Sequence, residues 1–158
     1  MALLTLTQVQ SQDNMNEVGK NNMTVRWKIE KEHIHFEVEA PTNGWVAIGF
    51  NETTSLAGTY LLMGRIRKGK AELVEHYTEK PGSYKPIADY GILSQATGIS
   101  GDEKGNTTRL HYAIPIKKAS KYHKQLSPDS KWTLLLAYSL DDDFQHHSIM
   151  RTSVEIKL

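Results

Sequence analysis

At 158 residues with a formal charge of +1, from 19 lysines and arginines against 18 aspartates and glutamates, the chain suits one self-sufficient domain and gives no electrostatic footing to nucleic acid or an anionic membrane surface. Cysteine is absent, which excludes disulfides, thiolate metal sites and cysteine nucleophiles and leaves His, Met, Asp and Glu as metal donors. No apolar run approaches the roughly 18 residues that a membrane-spanning helix needs.

Leu3, Leu4, Leu6 and Val9 make a short apolar stretch, and Val9-Gln10-Ser11 ahead of Gln12 has the small-residue spacing of a signal-peptidase site. Residues 1–20 are therefore read as the remnant of an export leader outside the fold, and residues 21–158 as a single domain. Export implies an extracytoplasmic location, where the sequons at Asn22, Asn51 and Asn106 are glycosylation acceptors in a eukaryotic secretory pathway.

From Thr24 the chain alternates like half-buried strands. Val25, Trp27 and Ile29 oppose Arg26, Lys28 and Glu30; then Ile34, Phe36 and Val38 oppose His33, His35, Glu37 and Glu39, with Lys31-Glu32 at the hairpin tip. Ala40-Pro41-Thr42-Asn43-Gly44 is turn chemistry, and the near-continuous apolar run 45–50 that follows predicts a central strand covered on both faces. Further strands are predicted at 59–67, 71–78, 107–115, 132–139 and 147–157, and a short helix or turn at 115–126. The connection 79–105 carries no element that the pattern defines. Short strands at this spacing predict an all-β fold, an antiparallel immunoglobulin-like β-sandwich.

Toward the end, Asp141, Asp142 and Asp143 lead through Phe144 and Gln145 to His146 and His147, with Met150 and Arg151 close behind. Carboxylate, imidazole and thioether donors so grouped can ligate a metal, while the acidic run by itself has the composition of a solvated turn. In an extended chain His146 and His147 point opposite ways. No catalytic constellation emerges, so the chain is not read as an enzyme. Ser148 beside His147 lacks the Gly-x-Ser-x-Gly elbow, there is no phosphate-binding glycine loop or His-Glu-x-x-His, and Glu37 and Glu39 lie on a polar strand face.

The order Gly44-Trp45, Gly58-Thr59 and His147-x-x-x-Arg151 resembles the DOMON family, which includes the N-terminal domain of dopamine β-hydroxylase and the cytochrome domains of the cellobiose dehydrogenase type. That resemblance implies a sandwich holding haem b at one end between a methionine and a histidine, and passing electrons to a partner protein or membrane cytochrome. The histidine falls on His147. The methionine position falls on Leu56, which cannot ligate iron, so Met63 or Met150 is the relocated candidate; Met63 is equally a core filler beside Leu61 and Leu62. Trp45, Ile48, Leu56, Leu61 and Trp132 are candidate pocket wall, and Tyr60 stands where the family commonly has an acidic residue. A Met/His pair would fill both axial positions, favouring electron transfer and a raised potential. The same resemblance extends to a haemless module for carbohydrate or another small ligand, for which Tyr60, Tyr77, Tyr84, Tyr90 and Tyr138 offer stacking surfaces. A domain that meets another chain through its sandwich edge is the third reading.

Overall fold

Eleven strands organise residues 14–158, the part of the chain described by the computed structural model. They are β1 (Asn16–Lys20), β2 (Met23–Glu30), β3 (His33–Ala40), β4 (Val46–Asn51), β5 (Tyr60–Arg67), β6 (Lys70–Lys80), β7 (Ser83–Pro86), β8 (Thr97–Lys104), β9 (Thr107–Pro115), β10 (Lys131–Tyr138) and β11 (Met150–Lys157). A five-stranded sheet runs β1-β2-β3-β9-β8 and a six-stranded sheet β11-β10-β4-β5-β6-β7, with every pairing antiparallel. The predicted antiparallel sandwich is the observed fold.

The space between the sheets is filled by the alternate residues that the pattern singled out. Val25 and Trp27, Ile34, Phe36 and Val38, and Leu110, Tyr112 and Ile114 come from one sheet; Ile48, Phe50, Leu62, Leu134 and Leu136 come from the other. Phe36 meets Phe50 at 5.7 Å and Tyr112 at 5.9 Å between ring centroids, and Phe50 meets Trp132 edge-on at 6.1 Å. Each fully buried side chain of this size contributes roughly 1.5–3 kcal/mol. Ile48 and Trp132 thus belong to the interior rather than to a pocket wall.

β4, β5 and β10 are buried on their outer face as well. Trp45, Ala47, Leu61, Met63, Ala137 and Phe144 form a second apolar cluster on the side of the six-stranded sheet away from its partner. This is why 45–50 reads as continuous apolar sequence, and β4 is indeed central.

Several expectations are corrected. Residues 1–13 lie outside the described residues, but Asn16–Lys20, expected in the leader, is an edge strand paired with β2 from Asn16↔Trp27 to Lys20↔Met23. Of the helix or turn expected at 115–126 it is the turn that forms, after β9 ends at Pro115, with backbone N–H groups bonding elsewhere: Ile116 to the Glu32 carbonyl at 2.9 Å, Leu126 to the Ile116 carbonyl at 2.9 Å. The unread connection holds β7, a 3₁₀ turn at Ile87–Tyr90 and edge strand β8, whose Thr97–Lys104 offers one large apolar side chain, Ile99, and a register shift between Thr97 and Ser100. The last strand begins at Met150, leaving His147 in a loop. The Asn51 sequon is structurally committed: its buried side-chain amide donates to the carbonyls of Ser55 at 2.6 Å and Ala57 at 2.9 Å, closing the loop after β4.

Candidate functional site

Cross-strand register carves a hollow into the outer face of the six-stranded sheet. Residues paired across antiparallel strands share a face, so Val74, Met63, Ala47, Ala137 and Arg151 form one row across five strands, and His76, Leu61, Gly49, Leu135 and Ser153 form the next. At the centre of these rows β4 contributes Ala47 and β10 contributes Ala137, and beside Leu61, Met63 and Leu135 these two small side chains leave a cavity of about 290 Å³. Trp45, Leu56 and Tyr84 stand around it, and Gln145, His147, Ser148 and Arg151 form a polar rim. No aspartate or glutamate is among the described residues that line it.

The rim loop from Ser139 to Ile149 is held by the turn ahead of β4. Gly44 lies against its backbone: a Cβ there would sit 2.5 Å from the Asp141 nitrogen and 2.6 Å from the Leu140 carbonyl carbon. The close approach lets Trp45 N–H donate to the Asp141 carbonyl and Ser139 N–H to the Trp45 carbonyl, both at 3.0 Å. Thr42 Oγ1 donates to the Ser139 carbonyl at 2.5 Å, and Trp45 Nε1 donates to the His146 carbonyl at 3.0 Å. Ser139 Oγ donates to the His147 carbonyl at 2.9 Å. Phe144 tucks under Arg65, whose guanidinium carbon lies 4.3 Å from the ring centroid, while Tyr84 donates its hydroxyl to the Phe144 carbonyl. Two members of the acidic triplet serve this loop internally: Asp141 Oδ1 accepts from the Asp143 N–H at 2.7 Å, and Asp143 Oδ1 from the Gln145 N–H at 3.0 Å. Among the described residues, no group of three or more His, Asp or Glu side chains is placed to hold a metal ion.

The indole bond is specific enough to test. Trp45→Phe keeps an aromatic wall but leaves the part-buried His146 carbonyl without its indole donor, so stability is expected to fall by about 1 kcal/mol. Amide exchange at 146–148 should accelerate relative to β4; unchanged protection in that segment would show that the indole does not hold the loop.

The DOMON domain model matches residues 19–139, more than half of the chain. The chain belongs to the DOMON domain family. Among relatives, it is 29% identical over 122 residues to "MOXD1 homolog 2" of Drosophila melanogaster, covering 77% of this chain and 16% of that protein. It is 24% identical over 144 residues to "DBH-like monooxygenase protein 1" of Mus musculus, covering 85% and 22%. The chain thus spans less than a quarter of either relative. Two solved structures share the fold: the cytochrome b domain of pyranose dehydrogenase from Coprinopsis cinerea (TM-score 0.67, 10% identity, 90% of this chain and 81% of that one) and the cytochrome domain of Myriococcum thermophilum cellobiose dehydrogenase (TM-score 0.63, 9% identity, 92% and 82%).

In this DOMON domain the structure brings His147, Met63, Leu56 and Trp45 to one cavity and leaves Tyr60 out of it. Tyr60 points from β5 into the sandwich interior, where it is buried and donates its hydroxyl to Glu75; neighbouring positions on a strand face opposite ways, so it cannot share the cavity with Leu61. His147 is exposed at the mouth, and neither ring nitrogen makes a hydrogen bond among the described residues. Its ring stacks on that of His146 at 5.0 Å and 23°, a side-by-side arrangement that the loop permits and an extended strand would not. Met63 lies in the floor with 1% of its surface exposed, packed among Trp45, Ala47 and Phe144. Leu56 is half-buried at the rim. Of the candidate stacking tyrosines, only Tyr84 lines the cavity. Tyr77 and Tyr90 instead pack on Tyr122, at 5.1 and 4.3 Å, and Tyr138 is packed against the main core.

Two buried imidazoles and a carboxylate escaped the sequence reading. Glu75, its side chain fully buried, accepts from the hydroxyls of Tyr60 and Ser94, from the Gln95 N–H at 2.7 Å, and lies 3.3 Å from His123 Nε2. Burial pushes its carboxyl up, but the contacts with His123, Ser94, Tyr60 and Gln95 more than offset this and hold it at about 2. The signal was available: Glu75 falls in the parity of Leu73 and Tyr77, an acid on an otherwise inward face. His76, fully buried on the cavity side of β6 against Phe144 and Tyr84, bonds the Val74 carbonyl through Nδ1 at 3.0 Å, and burial keeps its imidazole below 6.5.

Proposed function

We propose that this domain is an exported haem b-binding electron-transfer module, with His147 as the iron ligand from the protein. The observation that supports the reading most is an imidazole whose ring nitrogens have no hydrogen-bond partner among the described residues, at the mouth of an apolar cavity, on a fold shared with two cytochrome domains. The donor set fits such a group in kind: an imidazole, and a thioether in the same lining, with no carboxylate among the described lining residues. Haem b supplies a one-electron carrier, whose potential a thioether ligand raises. Met63 is in the cavity floor but only 1% exposed, within the cluster of Trp45 and Phe144, so the methionine side is the weaker half of the set. The loop bonds of Trp45 and Ser139 fix the backbone at 146 and 147, which limits how far the imidazole can wander. A redox protein or membrane cytochrome is the partner in this reading, and its contact is the exposed rim beside His147.

The test is a visible spectrum, oxidised and dithionite-reduced, of protein produced with ample haem. A Soret band with sharp reduced bands is expected, and His147→Ala should remove the low-spin signature and weaken haem retention by at least about tenfold. Colourless protein that ignores added haem would end this reading.

A second reading, a haemless module for carbohydrate or another small ligand, is favoured by a specific observation: Leu56 occupies the rim where the family's methionine falls, and Met63 is 1% exposed. Trp45 and Tyr84 are then the aromatic surfaces that a ligand meets. Calorimetric titration against glycans and small apolar ligands separates it from the first.

A further inference from the structure

We infer that the cavity selects ligands that carry a carboxylate, and that Arg151 is the residue that receives it. The inference rests on the cavity being a ligand site, but not on iron, and it holds equally for haem and for another apolar acid.

Three observations converge. First, the described lining includes one guanidinium and one imidazole and no acidic side chain, so the fixed charge carried by the lining itself is positive. Second, Arg151, like Arg67 at the end of β5, has no ion pair or hydrogen bond among the described residues, whereas Arg26, Arg65 and Arg109 are each bound to glutamate, at 2.6, 2.7 and 2.8 Å. A guanidinium presents a planar fork of donors that matches a carboxylate with two parallel bonds, and here that fork is unspent. Third, its position is fixed by register. Arg151 ends the row that passes through Ala47 and Ala137, so the side chains between it and the cavity floor are methyl groups that cannot screen it. Ser148 and Gln145 add a hydroxyl and an amide on the same rim.

An anion entering a half-enclosed apolar space loses hydration, and only a charged, hydrogen-bonding partner offsets that loss. The preferred occupant is therefore an acid with a large apolar or planar body, seated on the floor with its carboxylate at the β11 side. Neutral ligands of the same shape bind less well, and added salt weakens the acid more than the neutral form.

Metal-free protoporphyrin IX and its dimethyl ester separate this from iron ligation, because neither needs an axial ligand. Fluorescence titration should show the diacid binding at least about tenfold more tightly than the ester. Arg151→Gln should remove most of that difference by weakening the diacid alone, and Arg151→Lys should restore part of it. The exposed position leaves folding intact, which thermal unfolding checks. Equal affinity for acid and ester, an Arg151→Gln variant that binds the diacid as the wild type does, or no binding of either compound would each overturn the inference. If iron porphyrin gives no axial spectrum while the diacid still binds through Arg151, the haem reading fails and this one stands.

Discussion

Gly44→Ala is expected to lower the melting temperature by roughly 6–12 °C and to release the rim of the cavity. The added methyl has nowhere to go: its nearest neighbours are the carbonyl oxygen of Ser139, the Asp141 nitrogen at 2.5 Å and the Leu140 carbonyl carbon at 2.6 Å, all backbone atoms that no rotamer change can move aside. The turn and the loop must part, which stretches the two 3.0 Å bonds between Trp45 and residues 139 and 141 and loosens the indole bond to His146. Overpacking of this kind costs about 1–3 kcal/mol, and each compromised hydrogen bond adds about 1 kcal/mol. The effect on ligand affinity should be larger than the effect on stability alone implies, because the loop carries His147. Gly69→Ala is the control. Gly69 has φ 73° with nothing within 4 Å of an added Cβ, so alanine there meets only backbone strain of roughly 1–2 kcal/mol and leaves the cavity untouched. Equal losses of ligand affinity in the two variants would refute the link between Gly44 and the rim.

Glu75→Gln is expected to cost on the order of 3 kcal/mol near neutral pH and to flatten the acid limb of the stability profile. The carboxylate is the common acceptor of Tyr60, Ser94 and Gln95 and lies 3.3 Å from His123 Nε2, contacts that tie β5 and two loops to β6. Because its folded value, about 2, lies below the ordinary 4.5, the stabilisation is fully present above pH 4.5 and is lost as pH falls from there through about 2. Denaturant titrations at intervals between pH 2 and pH 6 should show that slope in the wild type and a shallower one in the variant. Parallel curves would mean that Glu75 is not the group responsible.

Most of the fold was legible because its strands alternate. Val25, Trp27 and Ile29 announce an inward face; the unbroken run 45–50 announces a strand buried on both sides, and it proves central. β8 stayed hidden because an edge strand with one large apolar residue, two glycines and a bulge has no period to read. The turns at 115–126 mimicked a helix, since Ile116 and Leu126 are apolar, yet their N–H groups are spent on bonds that no local pattern records. The same limit governs the site. Period 2 groups Leu61 with Met63 and sets Tyr60 apart, but which set faces the cavity is decided by register across β4, β5 and β10. The hollow itself comes from small residues contributed by two of those strands, and its emptiness is visible only once Ala47 and Ala137 are known to be neighbours.

The six-stranded sheet is a partition between two compartments, and successive letters of β4 and β10 are addressed to different ones. Val46, Ile48, Leu134 and Leu136 speak to the sandwich interior; Ala47, Leu135 and Ala137 speak to the cavity. Changes of volume at the second set therefore reshape what the hollow admits while the packing between the sheets stays as it was. Ligand choice can drift or be redesigned in this chain as a variable nearly independent of fold stability, one letter at a time on the same strands.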